Sequence, residues 1–170
     1  MINCSGYGLA ELLKDKINPV GLEIGCSEGD TSIFLLSSNP NLRLISIDPY
    51  VEYLDWNGNQ LNDRPNLFHK TKKRLSSYSN RFVLIRDYSD NAISQFENES
   101  LDFIFIDGLH TYEQVKKDCE NYYSKIKPGG LFSGHDYNTI PAVNKAVNEF
   151  AFSVNRNIMT AQHDVWYWLK

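Results

Sequence analysis

Short apolar runs alternate with amphipathic segments along most of the chain. Val20, Leu22 and Ile24 form the first run, residues 42–47 the second and Phe82–Ile85 the third. Leu101–Ile106 and residues 131–134 complete a set of five, each of strand length and apolar enough to be buried on both faces. Between the runs, apolar residues recur at helical spacing. Leu9, Leu12, Leu13 and Ile17 predict a helix within residues 5–17, and briefer helices are expected over 31–37, over 70–78 and from near Asn91. Thr111-x-x-Gln114 is a capping box that opens a helix with Val115, Cys119, Tyr122 and Tyr123 inside, and Lys127-Pro128-Gly129-Gly130 stops it. Pro141 opens another, with Val143, Ala146, Val147 and Phe150 inside. The last segment offers strands around 156–160 and 165–169, joined near Gln162-His163-Asp164 as an antiparallel hairpin. Strand and helix in alternation imply a parallel sheet covered on both faces, and right-handed crossovers make it doubly wound. With the closing hairpin, the expected fold is α/β with a mostly parallel, seven-stranded sheet.

Composition narrows the class without naming a chemistry. The 170 residues show no repeat, linker or low-complexity tract, so residues 1–170 are expected to form one domain. A net charge of −4 argues against nucleic acid as a partner, and the basic run 70–74 reads as a solvated helix face. Cys4, Cys26 and Cys119 are odd in number and scattered, which fits free thiols in a reducing compartment. No apolar run has signal-peptide or membrane-spanning character, so a cytoplasmic protein without a membrane partner is expected.

Candidate chemistry collects where the apolar runs end. The first stops at Gly25-x-x-x-Gly29 and the second at Asp48-Pro49. A glycine turn lets backbone approach a ligand, and an acid about 20 residues on can accept both ribose hydroxyls. Dinucleotide sites want Gly-x-Gly-x-x-Gly around a pyrophosphate. Here Ser27 stands two residues after Gly25 and Glu28 precedes Gly29, a carboxylate that suits a sulfonium or ammonium better than a phosphate. That spacing speaks against a nicotinamide-dependent oxidoreductase, the competing enzyme class.

The fourth run ends at Asp107-Gly108-Leu109-His110 and the fifth at His135-Asp136-Tyr137. Neighbouring strands lie about 4.8 Å apart, so these side chains can share one small volume. Oxygen and imidazole groups of this kind suit Mg²⁺ or Mn²⁺, and His110 can take a proton from an attacking hydroxyl. The structural alternative has Asp107 serve only a ligand's ammonium and His135 a hydrogen-bonded framework. His69 and His163 lack such company and read as surface residues. Residues 50–65, with Tyr53, Trp56 and Asn57-Gly58, form either a surface loop with its aromatics tucked down or a lid over the substrate.

The ordered set Glu23-x-Gly25-x-x-x-Gly29, Asp48, Phe105-Ile106-Asp107-Gly108-x-His110-x-Tyr112-Glu113, Lys127-Pro128-Gly129-Gly130 and Gly134-His135-Asp136-Tyr137 resembles class I S-adenosylmethionine-dependent methyltransferases. The similar branch is the one related to macrolide-sugar and catechol O-methyltransferases, and the likeness runs from Glu23 to the terminal hairpin. It implies cofactor contacts at Glu23, Gly25, Ser27, Gly29, Asp48, Pro49 and Asp107. It also implies an adenine-facing turn at Asp87, Tyr88 and Ser89, where Asp87 or Ser89 could equally cap the next helix. It implies a catalytic base at His110 and metal ligands at Asp107, His135 and Asp136, although metal-dependent relatives tend to carry a carboxylate where His135 stands. The implied reaction is methyl transfer from S-adenosyl-L-methionine to a hydroxyl of a small molecule or sugar, with Mg²⁺ or Mn²⁺ as the candidate ion. A module that binds the cofactor or a partner without turnover is the non-enzymatic alternative. A small domain with an aromatic lid is also compatible with a homodimer.

Overall fold

A computed structural model describes residues 5–54 and 57–170. Five strands run parallel: β1 (Val20–Ile24), β2 (Arg43–Ile47), β5 (Phe82–Ile85), β6 (Leu101–Ile106) and β7 (Ile126–Gly134). A short hairpin, β3 (Tyr53–Leu54) and β4 (Gln60–Leu61), stands apart from them. The closing pair β8 (Met159–Ala161) and β9 (Val165–Leu169) adds antiparallel to β7. The sheet order is β5-β2-β1-β6-β7-β9-β8. The chain therefore winds outward from β1 to β5, then returns to β6, which puts the switch point between β1 and β6. The mostly parallel, seven-stranded, doubly wound sheet expected from the alternating pattern is the sheet observed.

Alternation along each strand divides the core in two. Leu22, Ile24, Ile104, Ile106 and Phe132 face α5 (Tyr112–Tyr122) and α6 (Pro141–Ser153). Leu44, Phe103, Phe105 and Leu131 face α1 (Gly6–Leu13) and α2 (Asp30–Ser38). Under the closing hairpin, Trp166 and Trp168 stack with centroids 5.3 Å apart, and Phe132 lies 5.1 Å from Trp168. These aromatic contacts hold the antiparallel edge on the parallel body.

Several boundaries differ from the sequence pattern for identifiable reasons. The helix expected over 70–78 is α3 (Arg64–Arg74), followed by a tight turn at Ser76–Tyr78. Pro65 in its first turn supplies a fixed φ where no amide partner is needed. The predicted loop 50–65 thus holds the β3–β4 hairpin and the start of α3, with Tyr50 fully buried. Trp56 and Cys4 lie outside the described residues. Strand β7 begins at Ile126, ahead of Pro128, because the Gly129 amide donates to the Lys170 carbonyl at 2.8 Å and Lys170 returns the bond to Gly130 at 3.0 Å. Those pairings keep the Lys-Pro-Gly-Gly segment in the sheet, although it ends the helix before it. Strand β8 is shorter and later than the expected 156–160. The turn Ser89–Ala92, α4, is a single helical turn. Among the described residues no helix is long and apolar enough to cross a membrane. Cys26 and Cys119 are buried, unpaired thiols.

Glu23 takes a place that the cofactor reading did not give it. Its carboxyl is 1% exposed, accepts from Ser46 Oγ at 2.6 Å and pairs with the Ser32 hydroxyl on α2. Burial raises its pKa to about 8, against the opposing effect of the two serines. The folded state thus holds a proton that the unfolded chain releases above about pH 4.5. Stability from this site is full below that value and falls as pH rises towards 8, by a few kcal/mol in order of magnitude. Glu23→Gln, which stays neutral, is expected to melt higher than wild type at pH 8, with the gap closing near pH 5. Thermal melts at the two pH values check this; an equal gap at both would show that Glu23 is not the titrating group.

Candidate active site

Five adjacent strand tips are stitched together by four first-loop amides. Asp48 donates to the Ile85 carbonyl at 3.1 Å, Gly25 to Ile47 at 2.8 Å, Asp107 to Ile24 at 2.8 Å and His135 to Ile106 at 3.1 Å. Each donor is the first residue past its strand, so the acids, glycine and imidazole named from the sequence stand in one row. A cleft of about 440 Å³ opens along it, lined by Gly25, Ser27, Asp48, Pro49, Ser89, Asp107 and His110 among others. Asp48 and His110 therefore share one cavity.

The glycine turn is dictated by close approach. Gly25 has φ +96°, and a Cβ there would sit 2.0 Å from the Asp107 carbonyl oxygen. No side chain fits between the β1 and β6 tips. Gly29, φ +81°, closes the turn by donating to the Cys26 carbonyl at 2.8 Å, and α2 starts at once. Asp48 is held from both sides of its carboxylate. The Ser27 amide donates to Oδ2 and the Tyr50 amide to Oδ1, each at 2.8 Å. Tyr50 and Thr71 then donate to the Ser27 carbonyl at 2.9 and 2.8 Å, which fixes the turn.

At the β5 tip only Ser89 of the three expected adenine residues lines the cleft. Its hydroxyl donates to the buried Asp118 at 2.6 Å, and Tyr122 donates to its carbonyl at 2.7 Å. Asp87 instead accepts from the Tyr88 amide at 2.7 Å and the Asn91 side chain at 2.8 Å without capping the α4 turn, whose N-cap is Tyr88, and Tyr88 is exposed. Glu23 and Gly29 likewise support the cleft without lining it.

At the opposite end the two carboxylates share the histidines. His110 Nε2 lies 3.3 Å from Asp107 Oδ1 and 3.0 Å from Asp136 Oδ2. His135 Nδ1 lies 3.2 Å from Asp136 Oδ1 and 3.7 Å from Asp107 Oδ1. Burial alone would lower the His110 pKa, but hydrogen bonds and charge from Asp107 and Asp136 outweigh it and carry it up to about 9. Burial opposes protonation of His135 too, yet Asp136 and Asp107 raise its pKa. Asp136 is driven well below the ordinary carboxylate range by the two imidazoles, against the effect of burial. Ligand atoms of Asp107, His110 and Asp136 lie within 4.8 Å of one another. His110 thus joins the compact set in which the resemblance placed His135. Oxygen and imidazole donors at this spacing fit a hard or borderline divalent ion.

Two supporting residues escaped the sequence reading. Asp164, in the β8–β9 turn, accepts from the Asn138 amide at 2.8 Å and the Thr139 amide at 3.0 Å, and from both side chains at 2.6 Å. This turn clamps the loop that carries His135 and Asp136. The other is Arg64, 7% exposed at the start of α3 and 3.2 Å from Asp48 Oδ2. The one signal for it was a lone cation beside Pro65 in the aromatic segment after the ribose acid.

A mostly parallel sheet with a glycine turn, an acid and a basic group gathered at its switch-point edge defines a doubly wound α/β protein. The chain belongs to the methyltransferase domain family, whose model matches residues 22–137. Three solved structures share the fold across almost the whole chain. A protein assigned as a caffeoyl-CoA O-methyltransferase from Staphylococcus aureus superposes with TM-score 0.69, at 19% identity, over 98% of this chain and 82% of that one. The O-methyltransferase NovP gives 0.71 at 16% identity, over 97% and 77%. An O-methyltransferase from Bacillus cereus in complex with SAH gives 0.66 at 15%, over 97% and 80%. The uncharacterized protein R132 of Acanthamoeba polyphaga mimivirus is 30% identical over 137 residues, 74% of this chain and 58% of that protein. The uncharacterized protein y4gI of Sinorhizobium fredii (strain NBRC 101917 / NGR234) is 30% identical over 70 residues, 41% of this chain and 8% of that protein. The chain thus spans from under a tenth to just over half the length of these curated relatives.

The clamp at Asp164 makes a direct prediction. Asp164→Ala is expected to cost about 1–3 kcal/mol and to speed amide exchange at Asn138 and Thr139. Hydrogen exchange read by NMR checks it, and unchanged protection at both amides would dismiss the clamp.

Proposed function

We propose that the chain transfers a methyl group from S-adenosylmethionine to a hydroxyl oxygen of a small molecule or sugar. One observation carries this reading: a single cleft lined by Asp48 and, beyond the glycine turn, by Asp107 and His110. Asp48 is the group to hold the ribose hydroxyls, the Gly25–Gly29 turn the amino-acid end, and Ser89 the adenine side. The cofactor supplies a methyl group on a sulfonium. An oxygen acceptor agrees with the structural neighbours described as O-methyltransferases.

The protein's own part is alignment and proton removal. Asp107 and Asp136 orient the His110 ring from one side, through Nε2. With its pKa near 9, free His110 is protonated at neutral pH and must give up that proton before it can accept one from the acceptor. A cation between the carboxylates would take over the charge that the imidazolium provides. We assign that role to Mg²⁺ or Mn²⁺ held by Asp107 and Asp136 with His135 or His110; such an ion supplies Lewis-acid polarisation of an oxygen. The net charge of −4 disfavours nucleic acid as acceptor, and the free thiols Cys26 and Cys119 agree with a reducing compartment.

Transfer of labelled methyl to a panel of hydroxylated small molecules tests the reading, with calorimetry on S-adenosylhomocysteine beside it. His110→Ala is expected to lower kcat by about 100-fold or more while leaving affinity for the demethylated cofactor within about twofold. No binding at millimolar cofactor would end the proposal. EDTA is expected to abolish transfer and added Mg²⁺ or Mn²⁺ to restore it. A rate that survives EDTA and rises as pH passes about 9 would assign the chemistry to His110 without an ion.

A further inference from the structure

Arg64 lies where a ribose would have to go. The Asp48 carboxylate offers about four acceptor sites. Two are taken by the Ser27 and Tyr50 amides, one on each oxygen. A ribose diol brings two O–H donors for the remaining pair. In this structure a single Arg64 nitrogen, Nη2, covers both, at 3.4 Å from Oδ1 and 3.2 Å from Oδ2.

Arg64 is held loosely for so buried a cation. One nitrogen forked between two oxygens is a poorer contact than the bidentate pairing a guanidinium can make. Among the described residues Nη1 reaches only the Ser27 hydroxyl, at 3.2 Å, and the buried Nε has no hydrogen-bond partner. Two aromatic faces already hold it from the side, the guanidinium carbon lying 5.6 Å from the Tyr50 ring centroid and 5.5 Å from that of Tyr53, on the β3–β4 hairpin. Aromatic faces hold a guanidinium without claiming its donors.

We propose that Arg64 sets cofactor affinity by competing with the cofactor's ribose for Asp48. The inference rests on the methyl-transfer reading for the identity of the ligand. In the free protein Arg64 gives the buried carboxylate its counter-charge and fills the two acceptor sites the amides leave open. On binding, the ribose hydroxyls take both of those sites and the guanidinium withdraws toward the tyrosines. Part of the binding free energy is spent on breaking the ion pair, so the measured affinity is weaker than the cleft alone would give.

The test is calorimetry on the full chain with S-adenosylhomocysteine, comparing wild type with Arg64→Met, which keeps the side chain's bulk. The expected result is a Kd lower by about tenfold in the variant, the size of one lost charge-assisted competitor. L-homocysteine, which has no ribose, should show no such gain. An unchanged or weaker affinity in Arg64→Met would overturn the proposal. Should that variant fail to fold, a crystal structure of wild type with S-adenosylhomocysteine decides. Arg64 off both Asp48 oxygens supports the competition; Arg64 still on them overturns it. Absence of binding to wild type would instead remove the methyl-transfer reading, and this inference with it.

Discussion

The row of amides from Asp48, Gly25, Asp107 and His135 onto the neighbouring strand ends fixes the geometry of everything at this edge. Parallel strands leave their tips side by side, but only matched register puts functional residues at one height. Here each loop donates its first amide to the last carbonyl of the next strand. The β1–β6 contact is the tightest link, since any Cβ at Gly25 would strike the Asp107 backbone. Cofactor turn and chemical acid are therefore parts of one rigid junction.

Charge at the edge follows from that crowding. Asp48, Asp107 and Asp136 stand close to a buried sheet, and each is matched by a cation from the chain itself. Arg64 sits on Asp48, while His110 and His135 lie between Asp107 and Asp136. Partly buried carboxylates need such partners. Both ends of the cleft thus carry internal substitutes for what a ligand would bring: hydroxyl donors at one end, a positive charge at the other.

The fold was legible because it rests on short-range signals. Apolar runs of strand length, Thr111 and Pro141 at helix starts, and acids or glycines at strand ends all act within a few residues. Proximity was legible wherever a strand tip carried it: Asp48, Asp107 and His110 line one cleft, and Asp136 reaches His110. What stayed hidden depends on long-range placement. Glu23 looks like a ligand-facing acid until Ser32 and Ser46 come together around it. Asp164 matters only because the hairpin turn falls beside Asn138 and Thr139. Arg64 gains its meaning from α3 starting earlier than its periodicity indicates. The late start of β8 and the early start of β7 reflect pairing partners that local propensity does not record.

Cys26 stands in the wall of the cleft, where a protein that takes a sulfonium donor keeps its most electrophilic guest. Sulfur is a better nucleophile than oxygen, so a thiolate there would be alkylated by the donor and the protein would poison itself. Burial pushes this thiol's pKa up to about 12. The layer that shields the glycine turn from water also keeps its sulfur from becoming a suicide acceptor.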